Sequence, residues 1–206
     1  MVINPLNLLI GHLESQGVLS SKKLKQVLQK VDRKNFVPEN LKAMAYSDQA
    51  LPLTAGQTIS QPTTVVFMLE RLKVEPGQKI LDIGAGSGWA SCILGELAGD
   101  KGEVFAYEIN KEVGKLGEKN VKEFGLKNIH YFITDAAKAW QKNAPYDRIH
   151  SAAAFEKIPE DLKQALKIGG ILVAPTADGY MRKITRVAKD EFKEEKYYGF
   201  VFVPFI

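Results

Sequence analysis

The stretch KILDIGAGSGWASCILGELAG, residues 79–99, decides the fold class of this protein. Its first letters, KILDI, predict a short buried strand, and the glycine-rich GAGSG that follows predicts a loop. The apolar pattern of WASCILGELA indicates a helix that ends at Gly99. A second strand, EVFAYEI at residues 103–109, follows, so the segment begins a βαβ unit. In an open α/β sheet, such a glycine loop lies at the edge where nucleotides bind.

The alternation of strands and helices continues outward from this unit. A helix over 111–124 is followed by the strand IHYFI, the strand RIHSAA, a helix at 159–166 and the strand GGILVAP. Strand candidates at 181–188 and 197–205, separated by the charged KDEFKEE, predict an antiparallel hairpin at one edge. The expected fold class is therefore α/β, with a Rossmann-like, doubly wound, mainly parallel sheet and a C-terminal antiparallel hairpin.

The N-terminal part, residues 1–50, is predicted to be a helical appendage. Apolar residues recur there at three- and four-residue spacing, the pattern of one helix face. These residues are Leu24, Val27, Leu28 and Val31. Ser20 or Ser21 can cap this helix, and a shorter helix is expected at 6–14. Residues 51–206 would form the main domain, and the two parts are expected to make one structural unit.

The composition narrows the class of protein. With 206 residues, of which 45% are hydrophobic, the chain can bury one substantial core. One cysteine, Cys92, and 3 histidines leave too few ligands for a usual zinc site, so no metal is expected. The net charge of +4 is scattered, which argues against nucleic acid as a partner. No apolar run is long enough for a membrane span. We expect the protein to be a monomer in the cytoplasm.

The central loop has the pattern D-x-G-x-G-x-G, formed by Asp82, Gly84, Gly86 and Gly88. A dinucleotide fingerprint, G-x-G-x-x-G, would place glycine at position 89, where this chain has Trp89, so nicotinamide and flavin cofactors are disfavoured. The pattern instead resembles the first motif of class I methyltransferases. That resemblance implies S-adenosyl-L-methionine as the cofactor, with the three glycines around it and Asp82 near its methionine end.

Two further acids end or follow the next strands. In the same resemblance, Glu108 accepts hydrogen bonds from the ribose hydroxyls, and Ile109 belongs to the same cofactor site. Asp135, together with Ala136, would receive the adenine amino group, although Asp135 can also be interpreted as a helix N-cap. Because parallel strands end at one edge of a sheet, these acids are expected to lie near each other.

A second segment, GQTISQP at residues 56–62, makes the resemblance specific. Members of the protein L-isoaspartyl O-methyltransferase family carry G-Q-T-I-S-x-P between their N-terminal helices and the first sheet strand. Further matches in the same order are FVP at 36–38, AYSD at 45–48, LP at 51–52, APYD at 144–147, SAAA at 151–154 before IP at 158–159, LKIGG at 166–170 and FVP at 202–204. The chain thus resembles this family over roughly residues 30–206.

This resemblance implies a function and a catalytic residue. Residues 51–206 would transfer the methyl group of S-adenosyl-L-methionine to the free carboxylate of L-isoaspartyl or D-aspartyl residues in damaged polypeptides. S-adenosyl-L-homocysteine would be released, and repair would begin through a succinimide. Ser60 would lie beside the methyl group and the carboxylate, and Gln57, Thr58 and Ile59 would line the cofactor pocket. Without the family, Ser60 before Gln-Pro is typical of a helix cap.

Some features depart from the family and leave other functions open. Thr134-Asp135-Ala136 stands where relatives usually have glycines beside the acid, so the adenine contact is expected to be rearranged. His150 is interpreted as an ordinary strand-end histidine. A methyltransferase acting on another carboxylate, a peptide natural product or a nucleic acid would share the fold, as would a binding module without catalysis. No G-x-S-x-G elbow occurs, so a serine hydrolase of that type is excluded.

Overall fold

A central, mainly parallel sheet organises the protein in the computed structural model, which describes residues 4–206. The strands are β1 (Leu51–Pro52), β2 (Thr58–Ile59), β3 (Lys79–Ile83), β4 (Glu103–Glu108), β5 (Ile129–Ile133), β6 (Tyr146–Ser151), β7 (Leu166–Pro175), β8 (Tyr180–Ala188) and β9 (Glu191–Tyr198). The α-helices are α1 (Pro5–Ser15), α2 (Lys22–Lys30), α3 (Pro62–Leu72), α4 (Trp89–Ala98), α5 (Lys111–Phe124) and α6 (Glu160–Gln164). Within the described range, no helix combines the length and apolar character needed to cross a bilayer.

The large sheet has seven strands in the spatial order β5-β4-β3-β6-β7-β8-β9. Strand β3 pairs in parallel with β4 on one side and with β6 on the other. The chain therefore builds outward from β3 to β5, then returns and continues on the other side from β6. A crevice opens outside the carboxyl ends of the strands at such a reversal. The predicted α/β class, the parallel sheet and the antiparallel C-terminal edge are confirmed.

Alternate residues of the central strands enter two hydrophobic cores, one on each face of the sheet. Ile80, Val104 and Ala106 join a cluster that also contains the apolar residues of α1 and α2. Leu81 and Phe105 join the second cluster on the opposite face. Because both faces are covered, these strands consist mostly of apolar residues.

Helix α2 has an N-cap that its sequence predicts. Helix α2 is capped by Ser21, whose side chain accepts a hydrogen bond from Leu24 N at 3.2 Å, so the choice between the two serines falls on Ser21. Trp89 packs toward these helices, and its Nε1 donates to Val31 O at 3.1 Å. The indole therefore lies in the core and does not separate α4 from the sheet. The division into residues 1–50 and 51–206 remains a prediction.

The second strand of the predicted hairpin was placed wrongly. It runs over Glu191–Tyr198, not 197–205, and only Lys189-Asp190 form the turn. The charged run is compatible with an edge strand because such a strand can expose its side chains and pair them across the ladder. Lys183 Nζ lies 2.8 Å from Glu195 Oε1, for example. The following residues instead return to the carboxyl edge of the sheet, where Ala154 N donates to Val203 O at 2.8 Å.

Helix α5 lies unusually close to the glycine loop at Gly117. A Cβ atom added at Gly117 would lie 2.2 Å from Gly86 O and 2.2 Å from the Tyr131 hydroxyl. That hydroxyl donates to Gly86 O at 2.8 Å, so the space is already filled by a hydrogen bond. The glycine at this position therefore sets the distance between the helix and the loop.

We predict that Gly117→Ala lowers the free energy of unfolding by about 1–3 kcal/mol, the usual cost of overpacking. Gly11→Ala is the matched control, since it also lies in a helix but has no atom within 4 Å of the added Cβ. There alanine should stabilise by about 0.5–1 kcal/mol through helix propensity. Urea unfolding of both variants measures the two effects. Equal responses would contradict the close approach of α5 to the loop.

Candidate active site

A cavity of about 500 Å³ opens at the carboxyl edge of the parallel strands. It is bordered by the glycine loop, the end of β4, the loop after β5, the end of β6, the segment 57–61 and residues 201–206. Ten predicted site residues line it: Gln57, Thr58, Ile59, Ser60, Gly84, Gly86, Glu108, Ile109, Asp135 and Ala136. The tertiary fold thus brings two distant sequence motifs to one cavity. Asp82 and Gly88 do not border it.

The glycine loop is folded over the end of β4 by backbone hydrogen bonds. Gly84 N and Ala85 N both donate to Tyr107 O, at 2.9 and 3.0 Å. Gly88, with φ of 83°, leads into α4, and a Cβ there would lie 2.6 Å from Val121 Cγ2. Gly88 therefore serves the packing of the loop against α5, while Gly84 and Gly86 present their backbone to the cavity.

Glu108 is held in a fixed orientation at the end of β4. Its Oε2 accepts from Gly86 N at 3.0 Å, and its Oε1 accepts from Asn110 N at 2.8 Å. A carboxylate has about four lone-pair sites, so both oxygens can accept further hydrogen bonds from a ligand. The side chain is only 8% exposed and lines the cavity, which leaves the cavity as its route to a partner.

Asp135 caps a short helix and also borders the cavity. Its Oδ1 accepts from Ala137 N at 2.9 Å, which caps the short 3₁₀ helix Ala136–Lys138. It also lines the cavity, with Lys138 Nζ 3.3 Å from its Oδ2. The alanines after Asp135 adopt negative φ, so this loop differs in backbone from one that contains glycine in the left-handed region.

Ser60 lies just before α3, and the helix cap comes from another residue. Thr63 N donates to Asp48 Oδ1 at 2.9 Å, and Thr63 Oγ1 donates to Asp48 Oδ2 at 2.7 Å. Gln61 Nε2 also donates to Asp48 Oδ2, at 3.1 Å. The predicted capping role thus belongs to Asp48, and the half-buried Ser60 side chain lines the cavity instead.

Arg33 holds the backbone of the Ser60 segment through hydrogen bonds to carbonyl oxygens. Its guanidinium, only 1% exposed, donates to Ser60 O at 3.1 Å and to Ala45 O at 2.8 Å. Burial lowers the pKa of Arg33 to about 10, although the charge of Asp48 opposes the change. Because the side chain remains a cation at neutral pH, it binds these carbonyl oxygens through charge-assisted hydrogen bonds.

Asp82 is fully buried beneath the glycine loop. Its Oδ2 lies 2.5 Å from Ser91 Oγ, and its Oδ1 lies 2.8 Å from His150 Nδ1. His150 is 1% exposed, and it is the member of this group that lines the cavity. Sequence reasoning missed this pairing because Asp82 and His150 lie opposite each other only through the register of β3 and β6. The available signal was a histidine near the carboxyl end of β6, the end at which the cavity lies.

A family model described as protein-L-isoaspartate(D-aspartate) O-methyltransferase matches residues 4–206. The chain belongs to this family. The protein-L-isoaspartate O-methyltransferase of Ignicoccus hospitalis is 37% identical to it over 202 residues, which cover 96% of this chain and 95% of that protein. The same enzyme of Dictyoglomus thermophilum is 39% identical over 198 residues, with coverage of 95% and 88%.

The fold of the family is confirmed by solved structures. A crystal structure from Plasmodium falciparum, described as a beta-aspartate methyltransferase in complex with S-adenosyl-L-homocysteine, has a TM-score of 0.89 to this chain. The two chains are 21% identical, and the match covers 99% of each. The resemblance inferred from GQTISQP and the glycine loop therefore extends to the N-terminal helices, since the family model begins at residue 4.

The potential metal ligands among residues 4–206 include one cysteine, Cys92. Within this range no group of three or more His, Cys, Asp or Glu side chains is arranged to hold an ion. Cys92 is buried, and burial together with the charges of Glu96 and Asp82 raises the pKa of its thiol well above the usual range. This thiol is therefore no candidate nucleophile.

We predict that Asp48→Asn removes a pH-dependent part of the stability. Partial burial raises the pKa of Asp48, but the hydrogen bonds from Thr63 and Gln61, with the charge of His12, outweigh it and lower the pKa below the usual range. A carboxylate whose pKa is lower in the folded state stabilises above its unfolded pKa of about 4. This contribution disappears as the pH falls through the lower, folded value.

Urea unfolding of wild type and Asp48→Asn between neutral pH and about pH 3 measures this effect. The wild type should be more stable at neutral pH, and the difference should shrink below about pH 4. A difference that stays constant to the lowest pH would exclude the ionised Asp48 cap. Asp178→Asn is the comparison variant, because Asp178 also has a lowered pKa but caps no helix near Ser60. It shows how much of the pH dependence arises from a carboxylate that does not cap α3.

Proposed function

We propose that this protein transfers the methyl group of S-adenosyl-L-methionine to the free carboxylate of L-isoaspartyl or D-aspartyl residues in damaged proteins and peptides. One observation carries the proposal: the glycine loop and Glu108 share a single cavity with Ser60. A methyl donor bound at the glycine loop and Glu108 would lie beside a carboxylate held at Ser60. Full-length membership in the family supports the same reaction.

The residues around the cavity fit S-adenosyl-L-methionine. The free acceptor sites of Glu108 suit two ribose hydroxyls, and Asp135 suits an adenine amino group. Gly84 and Gly86 allow a ligand to approach the backbone closely, since neither has a side chain. Ile109, 44% exposed, and the buried Ala136 offer apolar contacts to the faces of the adenine ring. Asp82 would then act on the methionine end only indirectly.

The bound cofactor would supply an electrophilic methyl group on a sulfonium. An isoaspartyl carboxyl with a pKa near 4 is already ionised at pH 7, so the acceptor needs no general base. The Ser60 hydroxyl would donate a hydrogen bond to this carboxylate and hold it in line. Arg33 would keep the Ser60 backbone in place, because it binds the carbonyl oxygen of that residue. Positioning and the exclusion of water would supply much of the acceleration.

The partners would be polypeptides, with neither nucleic acid nor membrane involved. Among residues 4–206, no lysine or arginine lines the cavity, whereas an enzyme that holds a nucleic acid needs cations for the phosphates on either side of the bound base. The apolar side chains of Val201, Phe202 and Phe205 border the cavity and suit a peptide. We further propose that the protein works as a monomer in the cytoplasm. Its mild net charge of +4 is compatible with this proposal.

The reaction class is tested with a matched pair of peptides, one isoaspartyl and one aspartyl, and S-adenosyl-L-methionine labelled in its methyl group. We expect base-labile label on the isoaspartyl peptide alone, since methyl esters hydrolyse in base and the aspartyl isomer carries its free carboxylate one methylene away from the α-carbon instead of directly on it. Equal labelling of both peptides would point to another carboxylate substrate. Methylation of a nucleic acid that falls steeply with added salt would instead favour a nucleic-acid methyltransferase.

Ser60 and Glu108 are expected to separate turnover from cofactor binding. Ser60→Ala should lower turnover by roughly 10- to 100-fold, the worth of a hydrogen bond to a charged group, and leave cofactor affinity nearly unchanged. Glu108→Gln should weaken binding of S-adenosyl-L-homocysteine by a similar factor. Glu103→Gln, at the opposite end of β4, is the matched control and should alter neither. Calorimetry and the peptide assay measure the two quantities, and full activity of Ser60→Ala would remove Ser60 from the site.

A further inference from the structure

His150 has one ring nitrogen satisfied and the other free. Nδ1 lies 2.8 Å from Asp82 Oδ1, whereas Nε2 is buried and has no hydrogen-bond partner among residues 4–206. Buried polar atoms are normally paired, and each exception calls for an explanation. His150 borders the cavity and Asp82 does not, so a ligand in the cavity can approach the ring on a side that Asp82 does not occupy.

The partner of Nε2 follows from the protonation of the ring. An ionised carboxylate can only accept, so Asp82 accepts the Nδ1–H of His150 as well as the hydroxyl hydrogen of Ser91. The hydrogen bond at Nδ1 places the hydrogen of the neutral ring on that nitrogen, which leaves a lone pair at Nε2. The free nitrogen is therefore an acceptor, and it requires a donor from a ligand.

The charge around His150 favours a cationic donor. Asp82 is fully buried, and its hydrogen-bond partners in the described chain are the neutral Ser91 and the imidazole. The negative charge of Asp82 makes Nε2 a better hydrogen-bond acceptor. No lysine or arginine of residues 4–206 lines the adjoining cavity to offset that charge. A ligand that brings a positively charged N–H group to Nε2 would both satisfy the acceptor and offset the charge of Asp82.

We propose that His150 Nε2 accepts a hydrogen bond from the α-ammonium group of the cofactor's methionine portion, and that Asp82 is a positioning residue that holds the ring. The proposal rests on the proposed function, since it requires the cofactor to lie along the glycine loop. It changes the role expected for Asp82 from a direct contact with the methionine end to one transmitted by His150. His150 then becomes a binding residue of the site.

The first test compares S-adenosyl-L-homocysteine with an analogue that lacks only the α-amino group, by calorimetry. The wild type should bind the complete ligand at least about 10-fold more tightly, as expected for a hydrogen bond to a charged group. In His150→Asn this preference should fall close to onefold, because the asparagine amide can still donate to Asp82 but does not reach the Nε2 position. His150→Gln, whose amide reaches further, should retain part of the preference.

The two hypotheses fail in different ways. If the wild type binds neither ligand, the proposed function fails. If the wild type binds both, and His150→Asn keeps the wild-type preference for the complete ligand, the role of His150 is excluded while the function stands. His130→Gln, which changes an exposed histidine at the far end of β5, is the control and should keep the full preference.

A measurement on the unmutated protein covers the case in which the variants fail to fold. Nitrogen-15 NMR of the wild type should show His150 as the neutral tautomer with hydrogen on Nδ1. Addition of S-adenosyl-L-homocysteine should shift the Nε2 resonance, and the deaminated analogue should shift it much less. An equal shift with both ligands, or no shift with either despite binding, would overturn the proposal.

Asp82→Asn should weaken the preference for the Nδ1–H tautomer, a signature that a merely structural role of Asp82 would not give.

Discussion

The attachment of the glycine loop to the end of β4 is the constraint on which the site depends. Tyr107 O accepts two loop N–H groups, and the Glu108 carboxylate accepts a third from Gly86. These hydrogen bonds turn the loop across the carboxyl edge of the sheet and orient Glu108 at the same time. Helix α5 can then approach closely at Gly117, and the Tyr131 hydroxyl completes the contact. The loop is thus rigid on the side away from the cavity, as a preorganised binding surface requires.

The second half of the site is held by a buried charge. Arg33 lies between the N-terminal helices and the segment that carries Ser60, and it donates to carbonyl oxygens at positions 45, 49 and 60. Asp48 orients the start of α3 through Thr63 and Gln61. The N-terminal part therefore does more than cover one face of the sheet, because Arg33, shortly after α2, binds the backbone of Ser60. The glycine loop and the Ser60 segment are thus held by different sets of hydrogen bonds, and both border the cavity.

Most of the fold and much of the candidate site could be predicted because they depend on local patterns. The strand, glycine loop and helix of residues 79–99 follow from hydrophobicity and from glycine, and Glu108 and Asp135 are found by counting to the ends of the next strands. The edge strand β9 was misplaced because its stability comes from its partner. Its charges pair with β8, and no local pattern distinguishes such a strand from a charged turn.

The sequence by itself determined the fold class, the family motifs and the set of residues that could bind a cofactor. Only the tertiary structure decided which of them reach the cavity. Asp82 and His150 lie 68 residues apart, and they meet because β3 and β6 are neighbours in one register of the sheet. A strand's register is set by packing on both faces and by the strands beside it, not by the residues of either strand alone. The pairing of a buried acid with the histidine beside it could therefore be seen only in three dimensions.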